Sequence, residues 1–234
     1  MIPPADSALE LRGVSCHRGA VAVRDVNLAF ARGSVSLLMG AEESGHELLL
    51  RVIGLLEAPD GGEMLLAGAP VHGLREEERV ALRDRRIGFV FAAPFLLPAF
   101  TPIENVAMPL FKISDAGTSE AQHRGEELLD FVGLHELVQA PCSGLGLLDQ
   151  HRVSLARALV NEPALLLIEK LDAALAGEEL RVFAALARQA AARFGVAVIA
   201  TVSPTFAAEP AERVIEFTDG SVQRDSELLP RPDA

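Results

Sequence analysis

Residues 40–47 read Gly40, Ala41, Glu42, Glu43, Ser44, Gly45, His46 and Glu47. The glycine spacing is that of G-x-x-x-x-G-K-[ST], a loop whose backbone N–H groups cradle phosphates while its lysine supplies charge and its hydroxyl holds magnesium. Both glycines are present. The lysine position is His46 and the hydroxyl position is Glu47. Glu42, Glu43 and Glu47 surround the place a polyphosphate would take. At about 5 Å and an effective dielectric of about 20, each carboxylate–phosphate pair costs about 3 kcal/mol. The frame is that of a nucleotide site, and its charges oppose a nucleotide.

A loop of this kind works only between a buried strand and a helix N-terminus, and the flanking pattern supplies both. Residues 34–39 read as an apolar strand ending on Gly40, and residues 46–54 as a helix. Upstream, 9–14 and 23–30 read as strands. Downstream, Pro59-Asp60-Gly61-Gly62 marks a turn before a strand at 63–67. A charged helix at 74–86 precedes a buried strand at 87–91. From 92 to 160 the pattern becomes helical, with segments at 103–110, 119–132 and 150–160 separated by Pro and Gly. Strand patterning resumes at 164–168 and 196–202, around a helix at 178–194. Asp219-Gly220 then signals a tight hairpin, and the tail from Asp225 reads as loose. Strands alternating with helices imply a mostly parallel α/β core, 1–91 plus 161–234, interrupted by a helical subdomain at 92–160.

Bulk composition narrows the function. Half of the 234 residues are hydrophobic and 23% are charged, which is a folded chain. A formal charge of −12 argues against nucleic acid and against direct attraction to anionic lipid. The apolar runs are too short to span a bilayer, so no direct membrane insertion is expected. No charged-then-apolar leader opens the sequence, which points away from secretion and toward a cytoplasmic place. Cys16 and Cys142 lack metal-ligand spacing and read as reduced thiols. Trp and Tyr are absent, removing the usual stacking platforms for a base.

Several longer stretches resemble the nucleotide-binding subunit of an ABC transporter, of the type serving lipoprotein-release and macrolide-efflux permeases. They are 35–40, 50–62 (LRVIGLLEAPDGG), 85–91 (RRIGFVF), 96–110 (LLPAFTPIENVAMPL) and 152–167 (RVSLARALVNEPALLL). The resemblance implies a P-loop NTPase-like ABC fold with an N-terminal antiparallel β part. It implies ATP and Mg²⁺ as the family's ligands and a permease-like transmembrane partner that docks a cytoplasmic coupling helix. It further implies pairing as a homodimer, or as a heterodimer with an active relative, and a peripheral position at the inner face of the membrane.

The family's functional positions diverge in register. The Q-loop glutamine is Ala92, and the signature segment is Leu145, Gly146, Leu147, Leu148 and Asp149. The magnesium-site aspartate is Glu169 and the catalytic glutamate is Lys170. The D-loop aspartate is Ala176 and the switch histidine is Val202. The adenine-stacking aromatic is replaced by His17 or Arg18. Meanwhile Glu104-Asn105-Val106 and Asn161-Glu162-Pro163 remain. In this family each site joins one chain's phosphate loop to the other chain's signature, so neither a homodimer nor a mixed dimer would hold an intact site. The expectation is a pseudo-ATPase without catalytic residues, metal or cofactor, which scaffolds or regulates a permease-like complex. An ATPase with unconventional residues, and a soluble interaction protein, are the alternatives.

Local alternatives follow. The acidic loop is a solvated turn, a cation site built from Glu42, Glu43, His46 and Glu47, or a weak residual nucleotide nest. Lys170 either pairs with Glu169 or faces solvent. His17, His72, His123, His135 and His151 read as ordinary surface or helix histidines. Phe91, Phe95, Leu96, Leu97, Phe100, Glu104 and Asn105 form the expected partner-docking face, the alternative being helical-subdomain core.

Overall fold

The computed structural model describes residues 7–113, 118–208 and 212–227. β1 (Ser7–Arg18) and β2 (Val21–Ala31) form an antiparallel hairpin that turns at Gly19, where φ is +62°. β3 (Val35–Gly40) leads through the glycine loop into α1 (His46–Ile53). β4 (Gly61–Leu66) and β5 (Ala69–Pro70) return to the first sheet, giving the order β2-β1-β4-β5. α2 (Glu76–Arg86) follows, with acids in its first turn and arginines in its last, matching the helix dipole. β6 (Ile87–Val90) precedes a wholly helical stretch: α3 (Pro102–Ile113), α4 (Thr118–Phe131), two short 3-10 turns and α5 (Leu147–Leu159). The chain re-enters the core at β7 (Leu165–Ile168), α6 (Leu171–Ala174), α7 (Gly177–Phe194) and β8 (Ala197–Val202), and closes with β9 (Arg213–Thr218) and β10 (Ser221–Asp225).

The second sheet runs β10-β9-β3-β8-β7-β6, parallel throughout except for the β9–β10 hairpin. β7 and β8 are buried at every position, as parallel strands covered on both faces must be. Alternate side chains divide between two cores. Leu37, Leu166, Ile168, Val198 and Ala200 face α5 and α7, whereas Leu38, Leu165, Leu167, Ala197 and Ile199 face α1 and the antiparallel sheet.

Two sequence expectations need correction here. α5 begins at Leu147, not 150, because Gly146 is its N-cap and Asp149 sits favourably in the first turn, bonded to Arg152 one turn on. Asp225 is no loose tail. It ends β10, buried, and takes a bidentate bond from the Arg213 guanidinium, which also lies 5.5 Å over Phe30. The remainder of that tail lies outside the described residues.

Candidate functional site

The parallel strands β3, β6, β7 and β8 all end on one side of the sheet, where open α/β sheets place their ligand sites. That edge gathers the glycine loop after Gly40, Phe91-Ala92 after β6, Glu169-Lys170 after β7 and Val202-Ser203 at the end of β8. Gly45 caps α1 at φ +98°, and a Cβ there would sit 2.2 Å from the Ala22 carbonyl oxygen. The Gly220 N–H donates to the Ser44 carbonyl at 2.9 Å, and the Arg24 N–H to the Gly220 carbonyl at 2.8 Å. Sheet, hairpin and loop are thereby pressed together, which only glycine at 45 allows.

Inside the loop, His46 and Ser44 are buried and share a hydrogen bond, Nδ1 to Oγ, of 2.8 Å. A Cβ on Gly40 would lie 2.1 Å from that Ser44 oxygen and 2.9 Å from the His46 nitrogen. The Ser44 hydroxyl and the His46 ring therefore occupy the space beside Gly40 into which a Cβ would point. Burial pushes the His46 pKa down, so the ring is neutral near pH 7 and supplies no charge in the lysine's stead.

Glu47 and Lys170 close the next position. Lys170 Nζ lies 3.1 Å from Glu47 Oε1, and that bond raises the lysine pKa. The expected alternatives, a Glu169 pair or a solvated lysine, give way to this contact because the chain turns at Lys170 with φ +47°. Its backbone N–H donates to Thr201 Oγ1 at 2.8 Å. Asp172 in α6 accepts from the Ser203 backbone N–H at 3.1 Å and from its hydroxyl, tying α6 to the end of β8. Val202 is buried and offers no group that could reach a ligand.

A cleft of about 420 Å³ opens over the loop, lined among others by Arg18, Glu42, Glu43, Glu47, Arg51 and Glu57. Its cations are already engaged. Arg18 binds Glu57, Asp60 and the Ala58 and His17 carbonyls, Arg51 binds Glu57, and Lys170 binds Glu47. Glu42 and Glu43 stand exposed at the rim. The cations at this cleft are paired within the chain and its rim is anionic, a setting that disfavours the magnesium–triphosphate group implied by the family. The four-residue cation cluster does not form either, since His46 turns inward and Glu47 turns to Lys170. Among the described residues no three His, Cys, Asp or Glu side chains are arranged to hold a metal.

The remaining motif positions scatter. Ala92 is half-buried after β6, and Ala176 is exposed as the N-cap of α7. In the signature segment Leu145 and Leu148 pack on the core, Gly146 caps α5, and Leu147 is exposed. His151 is the helix histidine expected, on the inward face of α5. It is buried edge-on to Phe183 at 5.7 Å, with Nε2 lacking a hydrogen-bond partner.

On the docking face, Phe95, Leu97 and Phe100 are exposed, Phe95 at 68%. Met108 and Phe111 of α3 are exposed too, and Leu96 is half-buried against the core. Phe91 stacks on Phe89 at 5.3 Å and meets Phe95 edge-on at 5.6 Å. Asn105 and Glu104 also bond within the chain. Asn105 is buried, accepting from the Leu97 N–H and donating to the Leu97 and Thr101 carbonyls. Glu104 accepts from the Thr101 N–H and hydroxyl, the reciprocal half of a capping box for α3. Arg157 of α5, not singled out by the sequence, donates to the Pro94 and Phe95 carbonyls at 2.8 Å and holds the turn that presents Phe95. No motif marks it; only the fold brings it there.

A glycine loop at the carboxyl edge of a parallel sheet, an antiparallel sheet beside it and a helical insertion before β7 define the ATP-binding-cassette class of P-loop fold. The chain belongs to the ABC transporter family, whose profile matches residues 23–171. It is 33% identical over 215 residues to the lipoprotein-releasing system ATP-binding protein LolD of Bacteroides fragilis, covering 92% of this chain and 99% of that one. The Bordetella pertussis LolD is 36% identical over 205 residues, covering 86% and 87%. The macrolide export ATP-binding/permease protein MacB of Syntrophobacter fumaroxidans is 36% identical over 212 residues, which is 87% of this chain but 29% of that longer protein. Among solved structures, the dimeric cassette MJ0796 superposes with TM-score 0.80 at 28% identity, covering 95% of this chain and 99% of that one. The expected fold class and the resemblance to lipoprotein-release and macrolide-export cassettes both hold.

Proposed function

We propose that this chain is a catalytically inert ABC-type subunit that scaffolds or regulates a permease-like membrane complex. The Glu47–Lys170 pair carries this reading: it joins the position of the metal-binding hydroxyl to that of the catalytic glutamate. Neither side chain is then available for magnesium or for activating water. The partner in this reading is a transmembrane protein whose cytoplasmic helix lies on Phe91, Phe95, Leu96, Leu97 and Phe100, presented by the 92–160 helical subdomain. The chain acts as a homodimer or beside an active relative, in the cytoplasm at the inner face of the membrane. No helix among its described residues is long and apolar enough to cross a membrane itself.

A second reading, an ATP-binding transport subunit with unconventional residues, is favoured by two observations. Relatives at 33% and 36% identity over nearly the whole chain are named ATP-binding proteins, and a cleft of about 420 Å³ persists over the loop. Calorimetry with Mg-ATP separates the two, with a LolD relative as positive control. The inert reading expects no heat where the control binds, and a micromolar to millimolar isotherm would replace it with the second. Affinity purification from solubilised membranes tests the partner. Recovery of a stoichiometric multi-span protein, lost in Phe95→Asp, is expected; recovery of none would leave a soluble interaction protein.

A further inference from the structure

The inferred function says what the site has lost; the bonds now present there carry a further consequence, which rests on that reading. We propose that Glu47 and Lys170 form an internal latch that holds the phosphate loop against the ends of β7 and β8, making the shape of this site independent of nucleotide and metal. Lys170 reaches α1 with its ammonium, at 3.1 Å from Glu47, and β8 with its backbone N–H, at 2.8 Å from Thr201. Asp172 extends the tie to Ser203. On the other flank, the Ser44 carbonyl takes the Gly220 N–H while the Ser44 hydroxyl holds His46. Loop, α1, β7, β8 and the β9–β10 turn are thus joined by protein groups alone. Lysine at 170 also offsets part of the local negative charge. Glu42, Glu47 and Glu169 all act to raise its pKa, so an acidic side chain at 170 would add one more carboxylate to that group.

The latch is tested on the full chain by thermal unfolding of wild type, Glu47→Gln, Lys170→Met, the double variant, the swap Glu47→Lys/Lys170→Glu, and Lys170→Glu alone. The pair is 34% and 40% exposed, so each neutral single variant should lower Tm by about 1–4 °C at low salt and by less at 1 M salt. The double variant should lose less than the sum of the singles, and the swap should recover part of the loss. Mg²⁺ alone should leave the wild type unmoved but raise the Tm of Lys170→Glu, where carboxylates gather without their cation. Additive singles, or no Mg²⁺ response in Lys170→Glu, would overturn the latch. These outcomes are separable from the function. ATP binding with coupled single variants would sink the inert reading and keep the latch; absence of ATP binding with additive variants would do the reverse.

Discussion

Replacing Gly45 by alanine asks whether the loop keeps its glycine for the fold or for a ligand. At φ +98° the residue lies outside the region that L side chains tolerate, a strain of about 1–3 kcal/mol. The added Cβ would lie 2.2 Å from the Ala22 carbonyl oxygen and 3.0 Å from the Gly220 Cα. Both are backbone atoms fixed by the hairpin contacts, so relief requires sheet and loop to part, for about 1–3 kcal/mol more. The sum, about 2–6 kcal/mol, is a large share of the roughly 5–15 kcal/mol that holds a typical domain folded. Gly195→Ala is the matched control: its φ is +64° and a Cβ there meets nothing within 4 Å, so it should lose only about 1–2 kcal/mol. Urea unfolding followed by circular dichroism reads both. With m near 3 kcal/mol/M, Gly45→Ala should move the midpoint down by about 1–2 M, against about 0.5 M for the control. If the two variants were equally mild, packing would not explain Gly45, and a ligand approaching the loop backbone would become the better account.

Four further outcomes are expected. Asn105→Ala removes the bonds that shape residues 97–101 and should cost about 2–4 kcal/mol in unfolding free energy, with faster amide exchange at Leu97. Arg157→Met frees the Pro94 and Phe95 carbonyls, and should lower stability by about 1–3 kcal/mol while weakening capture of a membrane partner. Burial lowers the pKa of His46 and His151 from 6.5, so below pH 6.5 the unfolded chain binds more protons than the folded one. Stability should therefore fall as pH drops through 6.5 and level off from about one unit above it, with a shallower fall in His151→Gln by denaturant titration. His46→Lys should not bring ATP turnover in a phosphate-release assay, because Lys170, Glu47 and the rim carboxylates are untouched; clear turnover would refute the inert reading.

Much of the fold was legible because it follows from local periodicity. β7 and β8 announce themselves as short apolar runs, and Asp219-Gly220 as a turn, since both residues must take positive φ, +50° and +83°. The start of α5 lies three residues before the sequence expectation because leucines carry no boundary signal, while Gly146 caps the helix only through its extended backbone. Asp225 reads as tail because an aspartate near a proline-bearing terminus looks solvated; its partner Arg213 is twelve positions away, across a hairpin. The identity of the loop residues was plain, but their partners were not. The sequence leaves Lys170 either paired with Glu169 or facing solvent, and the structure gives Glu47.

By itself the sequence determined which chemical groups stand at the loop and which have gone, since side-chain type at a motif position is fixed by spacing alone. It also determined that a parallel sheet would carry them, because that follows from periods of two and 3.6 residues. Only the tertiary structure decided what the replacements do. Glu47 and Lys170 lie far apart in the chain and meet because α1 begins and β7 ends at the same sheet edge. Likewise His46 is neutral because the fold buries it, and Asn105 is a strut because Leu97 and Thr101 fold back over it. Hydrogen bonds and ion pairs act over about 3 Å, a distance that sequence order does not encode and packing does.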